Sequence, residues 1–215
     1  MEIVTPGATN LALFIGAALV MLLIPGPAVL YVVARSVEQG RLAGFVSDLG
    51  IHTATLVHVL AASVGLSALL ASSALAFSIV KYAGAAYLIW LGLKKIFGRA
   101  EAADVDAGAA YGYTRLFRDG FIINLLNPKT ALFFLAFLPQ FVDVSRGHVA
   151  TQIAFLGLLL TLLGLISDGC YTLAASAVGQ WLRRSRSYLT LERYVSGVLF
   201  IGLGVTAAFA GSNKK

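Results

Sequence analysis

Charge is scarce in this chain: only 12% of its 215 residues are Asp, Glu, Lys or Arg, against 59% hydrophobic. Soluble domains are about half apolar and a quarter charged, so a soluble globular domain is excluded at a mean hydropathy of +0.85. Cysteine is nearly absent. Cys170 stands alone, which rules out an intrachain disulfide, a CxxC redox pair and a thiolate zinc cluster. No Lys or Arg precedes Arg35, so the basic n-region of a signal peptide is missing and the first apolar segment is expected to be retained. The net charge of +6 does not point to nucleic acid, because the basic residues fall between apolar segments.

What is present are long apolar runs. Six can be drawn, at about Asn10–Ala34, Leu42–Leu70, Ser73–Phe97, Phe117–Val142, Val149–Leu182 and Tyr188–Ala210. Their length argues for helices, and none alternates like a barrel strand. The expected fold is therefore an all-α membrane protein of six transmembrane helices in a lipid bilayer. Residues 1–98 form one three-helix unit and 117–215 a second, with a small, polar bridge over 99–116. Arg35, Arg41, Lys94, Lys95, Arg99, Arg115, Arg118, Arg183, Arg184, Arg186 and Arg193 all fall on one side of this layout. Only Lys81, Arg146, Lys214 and Lys215 fall on the other. The positive-inside rule makes the first side cytoplasmic and sends both termini outward.

The two units read as a repeat. "KYAGAAYLIWLGL" (81–93) aligns with "RYVSGVLFIGLGV" (193–205), and a proline break falls in the first helix of each unit, at "PGPAVL" (25–30) and "LNPKTAL" (126–132). Three helices per unit is odd, so the second enters from the opposite face, as in inverted-repeat transporters. Pro25, Gly26 and Pro27 should leave backbone groups without helical partners, which is tolerated at depth only inside protein or beside a water-filled cavity. Asn127 can cap a half-helix that begins at Pro128. If the units face each other, two positive helix ends converge on one spot suited to a carboxylate.

Several polar side chains sit deep in these segments. Lys129 lies about a dozen residues, roughly 18 Å of helix, from either end of its span, too far to snorkel easily. It faces either a bound anion or a carboxylate such as Asp168. Asp48 and Asp168 are costly to keep ionised in a membrane, which suits them to carry a proton; His52 follows Asp48 by one turn and either titrates with it or hydrogen-bonds to it. Asp48 also fits a place near the cytoplasmic rim. His58 reads as a packing residue. Asp48, His52 and His58 do not make a strong metal signature by spacing, although a carboxylate-plus-imidazole site stays open. Tyr31 and Tyr171 fall about one turn after a break and after Asp168, where either could line a cavity.

These residues resemble the lysine exporter (LysE/RhtB) family of bacterial amino-acid exporters over most of the chain. The resemblance is carried by "LIPGPAVLYVVARSVEQGRLAGFVSDLGI" (23–51), "KYAGAAYLIWLGLKKI" (81–96) and "FRDGFIINLLNPKTALFFLAFLPQFV" (117–142), motifs that are highly specific in this order. It implies an inner-membrane exporter of amino acids or close derivatives, driven by proton antiport. It also implies that Pro25, Gly26, Pro27, Asn127, Pro128 and Lys129 lie in the substrate region. The family often has an acidic or amide residue after PGP, and here it is Ala28, which moves the expected contact for a substrate amino group toward Asp48 or Asp168.

The expectation is thus a secondary active exporter whose partners are an amino-acid substrate, protons and the bilayer, with a homodimer allowed and neither cofactor, resident metal nor nucleic acid required. The expected substrate residues are Pro25, Gly26, Pro27, Tyr31, Asn127, Pro128, Lys129 and Tyr171, and the expected proton-coupling residues are Asp48, His52 and Asp168. The alternative is a metal or small-ion exporter of the same architecture. An intramembrane enzyme is disfavoured, since no nucleophile–base pair, metal-protease motif or cofactor fingerprint is present.

Overall fold

A computed structural model describes residues 6–23, 25–72 and 111–182, with isolated helical positions between 79 and 97 and between 198 and 205. The third and sixth apolar segments, the "KYAGAAYLIWLGL"/"RYVSGVLFIGLGV" pair and most of the 99–116 bridge therefore lie outside the described residues. The described residues are overwhelmingly helical. In order they form α1 (Ala8–Leu23), α2 (Pro27–Gln39), α3 (Arg41–Ser72), α4 (Tyr113–Leu125), α5 (Pro128–Leu132) and α6 (Val149–Leu182). Beyond α5 the chain continues as a π turn over Phe133–Phe137 and a 3-10 turn over Leu138–Phe141.

Each expected proline break is a real interruption. α1 and α2 meet at 51°, and α4 meets the Pro128–Phe141 stretch at 46°. Proline explains both, having no N–H and clashing with the preceding turn. The π turn has a related cause: Pro139 offers no N–H to the Leu135 carbonyl, and the ladder widens before it. α3 and α6 contain uninterrupted stretches long and apolar enough to cross a membrane, and each bent pair qualifies as one further span. Large side chains such as Leu60, Val64, Leu158, Leu162 and Ile166 stay exposed on them, as on helices whose solvent is lipid.

Side-chain contacts give the helix directions. Asn10 bonds the Phe141 carbonyl, Met21 meets Lys129, Tyr31 meets Leu116, and Tyr111 bonds Gln39. The α1–α2 pair thus runs antiparallel to the α4–α5 pair, and the two breaks lie at the same level. α3 and α6 are antiparallel as well: Gly44 abuts Thr172, His52 abuts Gly164, and Val59 abuts Gly157. Gly164 is required there, because a Cβ would overlap the His52 ring. α3 and α4 approach so closely that a Cβ on Gly120 would overlap the Ser47 carbonyl, and one on Gly50 the Phe117 carbonyl.

The apolar core lies on one side of the breaks, where Phe14 packs edge-on against Phe141 at 5.4 Å and tilted against Phe133 at 6.1 Å. Gln152, fully buried, closes that end: it bonds the Asp143 N–H and carbonyl and the Gly147 carbonyl, fastening the loop before α6. At the opposite end Arg35 is 1% exposed, 2.9 Å from Glu38, and stacked over Tyr111 at 4.7 Å. The α2–α3 turn beside it uses Gly40 at φ 84°, which glycine adopts without strain.

Candidate functional site

The three break prolines dictate the chemistry around them. In a continuous helix the carbonyls of Met21, Leu23 and Asn124 would accept from residues 25, 27 and 128. All three are proline, so these carbonyls lose their i+4 donor; Asn124 O still accepts from the Asn127 N–H at 3.1 Å, and each carbonyl has a further polar partner. Each finds one on a different helix. Lys129 Nζ donates to Met21 O at 2.8 Å, and Tyr171 Oη donates to Leu23 O at 2.8 Å. His58 Nε2 lies 3.3 Å from Asn124 O, which places its ring proton on that nitrogen. The breaks are thereby sewn into the bundle by residues whose purpose could not be read from their own segments.

The starts of the two following helices differ. Asn127 caps α5, its side chain accepting from the Lys129 N–H at 3.0 Å. α2 starts from Gly26, which has no side chain to cap it, so the N–H groups of its first turn face the break without a side-chain acceptor. A Cβ on Gly26 would stand 3.2 Å from Lys129 Cδ, so the glycine lets this lysine lie against the break.

Asn124 is the hub of the second break. Its amide donates to Ile51 O at 2.8 Å and to Thr55 Oγ1 at 2.9 Å. Its oxygen accepts from Thr130 Oγ1 at 2.9 Å and from Asn127 Nδ2 at 3.4 Å. The sequence reading passed over Asn124; the signal available was its position four residues before Pro128, where a carbonyl must lose its donor.

Between the breaks lies a cavity of about 50 Å³. Gly26, Ala28 and Val29 line it from α2, and Asn127, Lys129 and Thr130 from α5. His52 reaches it from α3 and Asp168 from α6. Met21, Leu22, Ile51 and Leu160 add an apolar wall. The cavity lining thus combines a cation and the start of α2 with a carboxylate and an imidazole. At about 10–15 Å³ of such space per water it has room for a few waters, and it is about a third of an engineered cavity known to take benzene.

Asp48, His52 and Asp168 form a buried cluster. His52 Nε2 is 3.0 Å from Asp48 Oδ1 and 3.3 Å from Asp168 Oδ2. The three residues are 2%, 6% and 4% exposed. Asp48 does not line the cavity but sits behind His52, well inside the bundle. Among the described residues no ion pair joins Lys129 to Asp168, which turns to His52 instead. Tyr31 points away, its hydroxyl meeting the Leu116 carbonyl at 3.3 Å, and neither it nor Tyr171 lines the cavity.

A bundle of apolar helices, with two spans broken at one level around a small cavity that a few polar side chains line, defines a multi-pass membrane protein with a site between its helices. The family description "LysE type translocator" matches residues 19–211, and the chain belongs to that family of translocators, which are not enzymes. It is 32% identical to an uncharacterised membrane protein of Vibrio cholerae, over 90% of this chain and 93% of that one. It is 28% identical to a leucine efflux protein of an Enterobacter species, over 94% and 96%. It is 32% identical to a homoserine/homoserine lactone efflux protein of Salmonella typhimurium, over 86% and 89%. No solved structure matches the chain.

Proposed function

We propose that this protein is a secondary active exporter of amino acids or close derivatives across the bacterial inner membrane, driven by proton antiport. The observation that carries the reading is the lining of the central cavity, which brings Lys129 and the start of α2 together with Asp168 and His52. Such a lining is complementary to a zwitterion: the first group takes the carboxylate and Asp168 takes the ammonium. The efflux functions named for two relatives support it, as both concern amino acids or a close derivative.

The cavity is too small for an amino acid with a side chain, so substrate enters only when the helices around the breaks separate. Lys129 then exchanges the Met21 carbonyl for the substrate carboxylate. Asp168 releases the ammonium when a proton arrives from outside, and His52 with Asp48 behind it passes that proton inward. The bound and protonated states thus favour opposite openings, which is the coupling that antiport requires. In this reading six helices form two inverted three-helix repeats, with the α1–α2 and α4–α5 spans as counterparts, and both termini are periplasmic.

The test is gradient-driven uptake of labelled leucine and homoserine into inside-out vesicles carrying the full chain. The expected result is acid-interior-dependent uptake that Asp168→Asn abolishes. Unimpaired gradient-driven uptake by that variant overturns the coupling role.

A further inference from the structure

We infer that Asp48, His52 and Asp168 also form a binding site for one divalent transition-metal cation. The donor set is two carboxylates and one imidazole, whose ligating atoms all lie within 4.8 Å of one another. Proximity alone does not make a site. The second observation is that the cluster does not satisfy itself. His52 Nε2 faces both carboxylates, but His52 Nδ1 and Asp168 Oδ1 are buried without a hydrogen-bond partner among the described residues. Native structures leave few buried polar atoms unpartnered, and two on adjacent side chains of one donor cluster mark a missing ligand.

The chemistry of that ligand follows from charge and distance. With both carboxylates deprotonated and the imidazole neutral, as metal ligands must be, one divalent cation balances the charge of the cluster. Donors about 2.0–2.2 Å from a tetrahedral metal stand roughly 3.3–3.6 Å apart, and those of an octahedral one about 3.0 Å. His52 Nε2 lies 3.0 Å and 3.3 Å from its two carboxylate neighbours, so two edges of the donor set already match, and the carboxylates, within 4.8 Å of each other, close on an ion by side-chain rotation. The imidazole favours zinc and its later-row neighbours such as cobalt over magnesium and calcium, which prefer oxygen donors alone. The adjoining cavity has space for the waters that would complete the coordination.

The backbone holds the donors in place. Asp48 and His52 are one helical turn apart on α3, and Gly164 of α6 leaves room for the imidazole between them and Asp168. This inference does not depend on amino-acid export, since the site is assembled without a substrate.

The test is titration of tag-free full chain in detergent with Co²⁺, read by visible absorption and by calorimetry, with Mg²⁺ as competitor. One equivalent should bind, excess Mg²⁺ should not displace it, and His52→Gln and Asp168→Asn should each weaken binding by at least about tenfold. His58→Gln, outside the cluster, should bind as wild type does. Absence of saturable binding by the wild-type chain overturns the inference even if the variants fold poorly. Binding retained within twofold in both cluster variants, or lost in His58→Gln alone, overturns it equally. Amino-acid uptake can fail or succeed in vesicles without changing any of these readings.

Discussion

Replacing Lys129 by Met keeps the length and apolar contacts of the side chain but removes the donor to Met21 O. A buried carbonyl left without a partner costs about 1–3 kcal/mol. For a chain of this length that corresponds to about 2–4 °C of melting temperature per kcal/mol. The need for Lys129 arises from Pro25, which cannot donate to that carbonyl. Pro25→Ala restores an N–H at the position a helix would use. Lys129→Met should therefore be clearly more destabilising in the wild-type chain than in the Pro25→Ala background. The assay is a double-mutant cycle on thermal unfolding of the purified full chain, with a coupling energy of about 1–3 kcal/mol expected. Equal losses in the two backgrounds would refute the capping argument, because Lys129 would then act independently of the proline.

Other consequences are open to simpler checks. Asn124→Leu should destabilise by several kcal/mol, because Ile51 O, Thr55, Asn127 and Thr130 all lose a buried partner; melting of the purified variant reads this. Gly164→Ala should displace the His52 ring, reducing Co²⁺ affinity with a smaller loss of stability than Asn124→Leu, since the new methyl meets one side chain and not a network hub. Gly120→Ala should be more damaging than a typical surface change, at about 2 kcal/mol or more, because the Ser47 backbone must move to admit the new methyl.

The spans that fall among the described residues, and their interruptions, were legible from sequence, since proline and apolar length act locally. The fifth apolar segment, Val149–Leu182, coincides with α6, and both expected breaks fall where prolines remove donors. What the local pattern does not reveal is which helix answers each orphaned carbonyl. Lys129 was legible as a buried polar residue and Tyr171 as one that could line a cavity, but their bonds to Met21 and Leu23 depend on neighbours more than a hundred residues away. His58 read as packing because its stacking on Phe134 and its contact with Asn124 O both come from another helix. Arg35 read as a topology marker beside the membrane, and its burial between aromatic rings follows from the return of Tyr111 to that end of α2.

The central claim is that the cavity between the two breaks takes a zwitterion and that Asp168 couples its movement to protons. Purified full chain in proteoliposomes, loaded with labelled amino acid and given an inward proton gradient, tests it most directly. The account predicts efflux that follows the gradient, needs Asp168, and weakens in apparent substrate affinity when Lys129 becomes Met. Gradient-driven efflux that persists at wild-type rate in Asp168→Asn, or the absence of efflux for any amino acid by the wild-type chain, would contradict it.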